Sequence, residues 1–322
     1  MGSLSIGWLI GTCFWLISGC VATAHSATAT GAACVTVESP ALSELDNTLR
    51  IDEFAIHYTS HGRHAIQDLT DRDGNKQPDL IDDLALQLTT ARILYGQSFG
   101  LQHPLDQPRY AKARHINVFV LALEKGNGLA FDEVVGERIG HQTMPCALRL
   151  FVSNKLRFSS NVTAAHELFH LYQYGYSMFK SRWYLEGMAR WVELAFRDRT
   201  AQEERSAQNA HWACDDVYGS TYTASTYWAQ QARSFAAQAT VVPDTIRSRR
   251  YSDGSRVVRE TGLPGKQLIL HALRGLATAS AAVSEAENLP LYRWPEKIQT
   301  SSRFDPLICD TISHLARSGL NR

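Results

Sequence analysis

The chain has 322 residues, 44% of them apolar and 10% aromatic, with 32 basic and 32 acidic side chains that cancel to a net charge of zero. That composition excludes a disordered, collagen-like or coiled-coil chain. It gives no electrostatic case for nucleic acid or anionic lipid as the main partner, and the length suits one large domain or two ordinary ones.

Residues 6–19, IGWLIGTCFWLISG, carry no charge. The run is too short to span a bilayer comfortably but matches the apolar region of a secretory signal. Residues 1–24 therefore read as an export signal, with no transmembrane span left after its removal. Two cleavage sites compete: the small-residue pattern Ala22-Thr23-Ala24, and Ile17-Ser18-Gly19-Cys20, which is similar to the bacterial lipoprotein signal and makes Cys20 a candidate lipid anchor. No Lys or Arg precedes Arg50, which departs from the usual basic start of either signal. Export places Cys34, Cys146, Cys214 and Cys309 in an oxidising compartment, where they can form two disulfides in any of three connectivities. Residues 25–48, Ala/Thr-rich at their start, read as a flexible spacer, with order beginning near Leu49.

Residues 49–60 have the apolar and aromatic content of one strand, ending at the Ser-His-Gly turn before Arg63. From Pro78, apolar residues recur at three- and four-residue steps (Leu80, Ile81, Leu84, Leu88, Ala91, Leu94), which predicts an amphipathic helix reaching about Gly96. The segments 115–123 and 147–153 are the clearest strands. Helical patterns follow at 162–174, 184–197, about 222–238, 264–283 and 308–318. Strands early and helices late define an α+β chain, divided here into an N-terminal lobe at 49–175 and a mainly helical lobe at 176–322.

The most informative segment is His166-Glu167-Leu168-Phe169-His170. On a helix its two imidazoles project from one face and can bind one metal ion. Glu167 then stands beside that ion, where it can take a proton from a bound water attacking a carbonyl. With this composition the motif is expected by chance only about 0.02 times per chain. A catalytic zinc needs a third protein ligand and an open position. Gln173 and Tyr176 stand where a metzincin has glycine and histidine, which removes that reading. Thirteen residues after His170 begins WYLEGMARWVE, at 183–193. If Gly175 ends the first helix, an antiparallel second helix can bring Glu186 to the same metal. Glu193, two turns further on the same face, is placed to accept a hydrogen bond from a ligand histidine.

The stretch WYLEGMARWVE resembles the third-ligand helix of the gluzincins, with its W-x-x-E-G-x-[AT]-x-[YW]-x-E pattern, particularly in the aminopeptidase-N group. The resemblance implies a thermolysin- or aminopeptidase-N-like catalytic domain: a small N-terminal sheet, an active-site helix and a helical C-terminal lobe. It assigns His166, His170 and Glu186 as zinc ligands and Glu167 as general base. Residues 51–193 also resemble a group of secreted bacterial zinc metallopeptidases, with Gln173 in their HExxH-x-x-Q pattern. The gluzincin resemblance further implies that the strand at 147–153 is the edge along which an extended peptide pairs.

Asp71, Asp73, Asn75, Asp79 and Asp82 alternate through a turn in a manner that resembles calcium loops, although Gly74, Lys76 and Asp82 depart from the EF-hand pattern. The plain alternative is a polar turn before a helix whose positive end faces Asp79 and Asp82. Tyr222 is the preferred oxyanion stabiliser among the downstream tyrosines and His211. Asn161, in an Asn-Val-Thr glycosylation pattern, reads as a helix cap. The expectation is thus an exported zinc metallopeptidase acting on peptides or proteins, an endopeptidase because no G-x-M-E-N stretch for a free substrate amine precedes the metal motif. A catalytically silent metal-stabilised binding protein and a surface lipoprotein are the alternatives.

Overall fold

Buried β-branched and aromatic runs form the middle of a mixed sheet. The strands are β1 (Val35–Glu38), β2 (Asn47–Ile51), β3 (Phe54–Tyr58), β4 (Ile116–Leu121), β5 (Gly128–Ile139), β6 (Gln142–Thr143) and β7 (Ala147–Ser153). Every residue of β3 and β4 is buried, as parallel strands covered on both faces must be. The strand order is β1-β5-β7-β4-β3-β2, with β6 paired to β5. The β3–β4, β4–β7 and β1–β5 pairs are parallel, and the β2–β3 and β5–β7 pairs antiparallel. Helices α1 (Asp79–Ile93) and α2 (Thr163–Tyr176) share one apolar core with the sheet. On the other face, Leu42 and Leu45 cover Phe119 and Leu121. The chain then becomes helical through α3 (Arg182–Val192), α4 (Ala201–Gln208), α5 (Cys214–Val217), α6 (Ser225–Ala232), α7 (Asp244–Arg247), α8 (Lys266–Ala286), α9 (Glu296–Gln299) and α10 (Asp305–Gly319). The chain is thus α+β, with its helices concentrated after the sheet.

This computed structural model describes residues 34–139, 142–233, 235, 240–260, 262–263 and 265–319. The export signal, Cys20 and residues 25–33 of the spacer lie outside the described residues. Among those described, no helix is long and apolar enough to cross a membrane. The cysteines adopt one of their three pairings, Cys34–Cys146 and Cys214–Cys309.

Several boundaries differ from those predicted. Regular structure is already present at β1, ahead of Leu49, where the first disulfide holds the chain beside β5; β1 is largely exposed and so carries little apolar signal. The single strand at 49–60 is a hairpin, with Asp52 at φ 47° in its turn, a left-handed conformation that Asp tolerates. Gly175 lies inside α2 and does not end it. A Cβ there would come 2.9 Å from Gln107 Cγ, so glycine serves close packing. The segment at 147–153 is not an edge: β5, which is absent from the predicted elements, lies between it and β1. The glycines and charges of 126–140 hide β5 from any test of apolar alternation.

A polar row crosses the sheet. His57 Nε2 and His115 Nε2 lie 3.1 and 2.9 Å from Asn117 Oδ1, and Asn117 Nδ2 donates to Glu137 Oε2 at 2.8 Å. Burial pushes the Glu137 carboxyl up to about 7, although Asn117 and Arg149 favour its anion. A carboxyl whose folded pKa exceeds its unfolded value near 4.5 adds stability that is full below about 4.5 and lost as pH rises through about 7. In urea titrations, Glu137→Gln therefore gains on the wild type as pH increases across that window. A difference independent of pH would contradict this.

Candidate metal centre

The centre is built where α2 meets α3. His166 and His170 are one helical turn apart on α2, and Glu186 comes from α3. Glu186 Oε2 lies 3.3 Å from His166 Nε2 and 3.7 Å from His170 Nε2. One ligand atom from each residue lies within 4.8 Å of the other two, an arrangement that can hold a metal ion, and it is the one such group of His, Cys, Asp or Glu among the described residues.

Both rings are fixed from behind. His166 Nδ1 lies 2.9 Å from Glu193 Oε2, and His170 Nδ1 lies 2.8 Å from Gln173 Oε1. These contacts turn both Nε2 atoms toward Glu186, and carboxylate or amide acceptors of this kind raise the basicity of a ligand imidazole. Gln173 Nε2 in turn donates to the Leu185 carbonyl at 3.2 Å, so one amide orients His170 and ties α2 to the turn that carries Glu186. Glu193 is itself held by Arg190 and by Arg197, whose Nε donates to it at 3.1 Å. Sequence spacing identified Glu193 and the family resemblance pointed to Gln173, but only the folded geometry reveals the latter's double role.

The electrostatics favour a cation at this point. Burial opposes charge on His166, yet its hydrogen bonds to Glu186 and Glu193 and the nearby Glu167 prevail and raise its pKa to about 10. Burial also opposes the Glu186 anion, but the two imidazoles hold its pKa well below the usual carboxylate range. Glu167 is buried in the same place without such compensation. Desolvation raises its pKa, against the pull of His170 and His166, and the Ala130 backbone N–H of β5 donates to its carboxyl.

Tyr222 stands at the margin, its ring 6.2 Å from that of His166. Burial raises its pKa, as do the Glu186 and Glu167 carboxylates. Tyr174, which the predicted site lacks, stacks on His170 at 5.8 Å. Its signal is that of an ordinary helix-face aromatic, and nothing in its spacing separates it from the core. Asn161 accepts the Thr163 amide at the start of α2 through its side chain.

The acidic loop forms a closed turn. Asp71 accepts the amides of Gly74, Asn75 and Lys76, Asp73 accepts that of Asn75, and Asp79 pairs with Arg72. Asn75 bridges Asp73 and Asp82. Three carboxylates do not converge there. No protein-family profile, curated protein or solved structure matches the chain.

One glycine controls the approach of β5 to the centre. A Cβ on Gly128 would fall 2.5 Å from Thr163 Cγ2 and 2.7 Å from Glu167 Oε1, closer than real atoms pack. Gly128→Ala is expected to cost about 1–3 kcal/mol by overpacking and to displace the Glu167 carboxyl. Calorimetry and a structure of the variant check this. An unmoved Glu167 with unchanged stability would contradict it.

Proposed function

We propose that the protein is an exported zinc-dependent endopeptidase of gluzincin type. The observation that carries the reading is the buried Glu167 carboxyl beside three converging donors, two of them imidazoles held from behind by Glu193 and Gln173. Two histidines and one carboxylate suit zinc with a position left for water. Zinc bound there supplies a Lewis acid that lowers the pKa of water and polarises a scissile carbonyl.

The chain's own residues then have separable tasks. His166, His170 and Glu186 hold the ion. Glu167, raised by burial toward the working pH of a base, takes the proton of the attacking water and passes it to the leaving amine. On this reading Tyr222 donates to the developing oxyanion. The substrate is a peptide in extended form: β1 pairs with β5 only from Val135 onward, so the outer edge of β5 from Gly128 to Phe131 has no strand partner among the described residues. That edge, beside Glu167, can pair with a peptide backbone. Two disulfides are compatible with export to an oxidising compartment.

Glu167→Gln keeps the three donors and removes the base. The variant is expected to retain metal and to lose about 10²–10⁴-fold in turnover of casein or a peptide library, with chelator abolishing wild-type cleavage. A wild-type protein that binds metal but cleaves nothing is instead a metal-stabilised binding protein.

A further inference from the structure

The open edge of β5 beside the metal centre has a fixed end. Ala130, whose amide donates to Glu167, and Gly128, which packs against the same carboxylate, mark where that edge passes the centre. The edge closes again at Val135, where β1 joins it in parallel through the pairs Val35–Val135, Thr36–Gly136, Val37–Glu137 and Glu38–Arg138. β1 therefore lies on the line that an extended peptide paired with β5 would follow. From Ala130 to Val134 the edge offers about four residue steps, roughly 13 Å at the rise of a β-strand. The register shift between Phe131 and Val135 bends and twists the strand just before β1 begins.

The core does not account for the attachment of β1, since none of its four residues is buried. Its ladder and a crosslink do. Val35, Val135 and Ala147 occupy one row across β1, β5 and β7, and the Cys34–Cys146 disulfide joins the residues just before the two outer members of that row. A Cβ on Gly136 would lie 3.5 Å from Cys34 Sγ, so the crosslink passes β5 where that strand carries no side chain. At the other end of β1, Arg138 pairs with Glu38 at 2.8 Å. Val35 is 72% exposed, at the point where a paired peptide would arrive.

We infer that β1 limits the substrate to about four paired residues on one side of the cleaved bond, because a longer extended chain meets Val35 and must leave the edge. The inference rests on the peptidase reading and narrows its substrate class to oligopeptides and flexible chain ends. Each residue that pairs adds backbone hydrogen bonds. A residue turned off the edge adds none and disturbs those before it.

The test takes a peptide that the protein cleaves and lengthens it one residue at a time at either end. At one end kcat/KM is expected to rise about threefold or more per paired residue up to about the fourth from the bond, and to fall on further extension. The second protein removes the crosslink through Cys34→Ser and Cys146→Ser, and removes ladder donors on both sides of β1 through Thr36→Pro and Val37→Pro. In it the fall should disappear. Zinc content and circular dichroism report on folding. A further measurement needs no turnover: zinc-loaded Glu167→Gln is irradiated with short peptides carrying benzophenone at either end, and attachment to residues 35–38 is expected by mass spectrometry for one end. Efficiency that keeps rising at both ends, a limit unchanged in the folded second protein, or crosslinks that never reach β1 would each overturn the inference. Crosslinking to β1 with no cleavage by the protein carrying Glu167 removes the peptidase reading and leaves β1 as the end of a peptide-binding edge. Cleavage of long chains at bonds far from both ends removes the length limit alone.

Discussion

Two imidazoles and a carboxylate from separate helices are held close enough to share one cation, and the surrounding structure is organised around that demand. A buried carboxylate is costly unless a positive charge or several hydrogen-bond donors accompany it. Here Glu167, Glu186 and Glu193 gather where α2 meets α3, with His166 and His170 between them. Arg190 and Arg197 neutralise the outermost of these carboxylates. The inner two face the point where the three donors converge.

The fold supplies the rigidity this arrangement needs. The sheet packs on α2 through a continuous apolar core, and the absence of side chains at Gly128 and Gly187 lets β5 and the Tyr222 turn close on the two ligand helices. Gln173 joins α2 to α3 by a hydrogen bond as well as by packing. The Arg197–Glu203 pair extends the network to α4, whose first turn is closed by the Thr200–Glu203 capping box. Metal centre and the start of α4 are therefore parts of one connected hydrogen-bond and ion-pair system.

The helical half of this plan is visible in the sequence because its signals are local. The two histidines are four residues apart, Glu186 follows in a distinctive aromatic context, and Glu193 lies two turns beyond. The strand at 147–153 is recognisable because near-complete burial demands a mostly apolar run, interrupted only by Arg149 before its closing Ser153. By contrast, β5 combines glycines, a bulge and charges, so no local pattern exposes it, and its position between β1 and β7 is a tertiary fact. The hairpin at Asp52 is hidden because both strands are apolar enough to read as one. The Thr200-x-x-Glu203 start of α4 is a legible capping signal, but the helix after it buries nothing fully and shows no apolar stripe. The alternating acids of 71–82 are ambiguous in the sequence: in the fold their oxygens accept backbone amides and pair with Arg72, a role that alternation alone does not distinguish from metal ligation.

The most direct measurement is X-ray absorption at the zinc edge, with metal stoichiometry, on the purified protein and on Glu186→Ala. The account predicts one zinc per chain in a shell of two imidazole nitrogens and light oxygen donors, with the carboxylate contribution and most of the affinity lost in the variant. Protein that takes up no zinc, or a shell without two imidazoles, would contradict it.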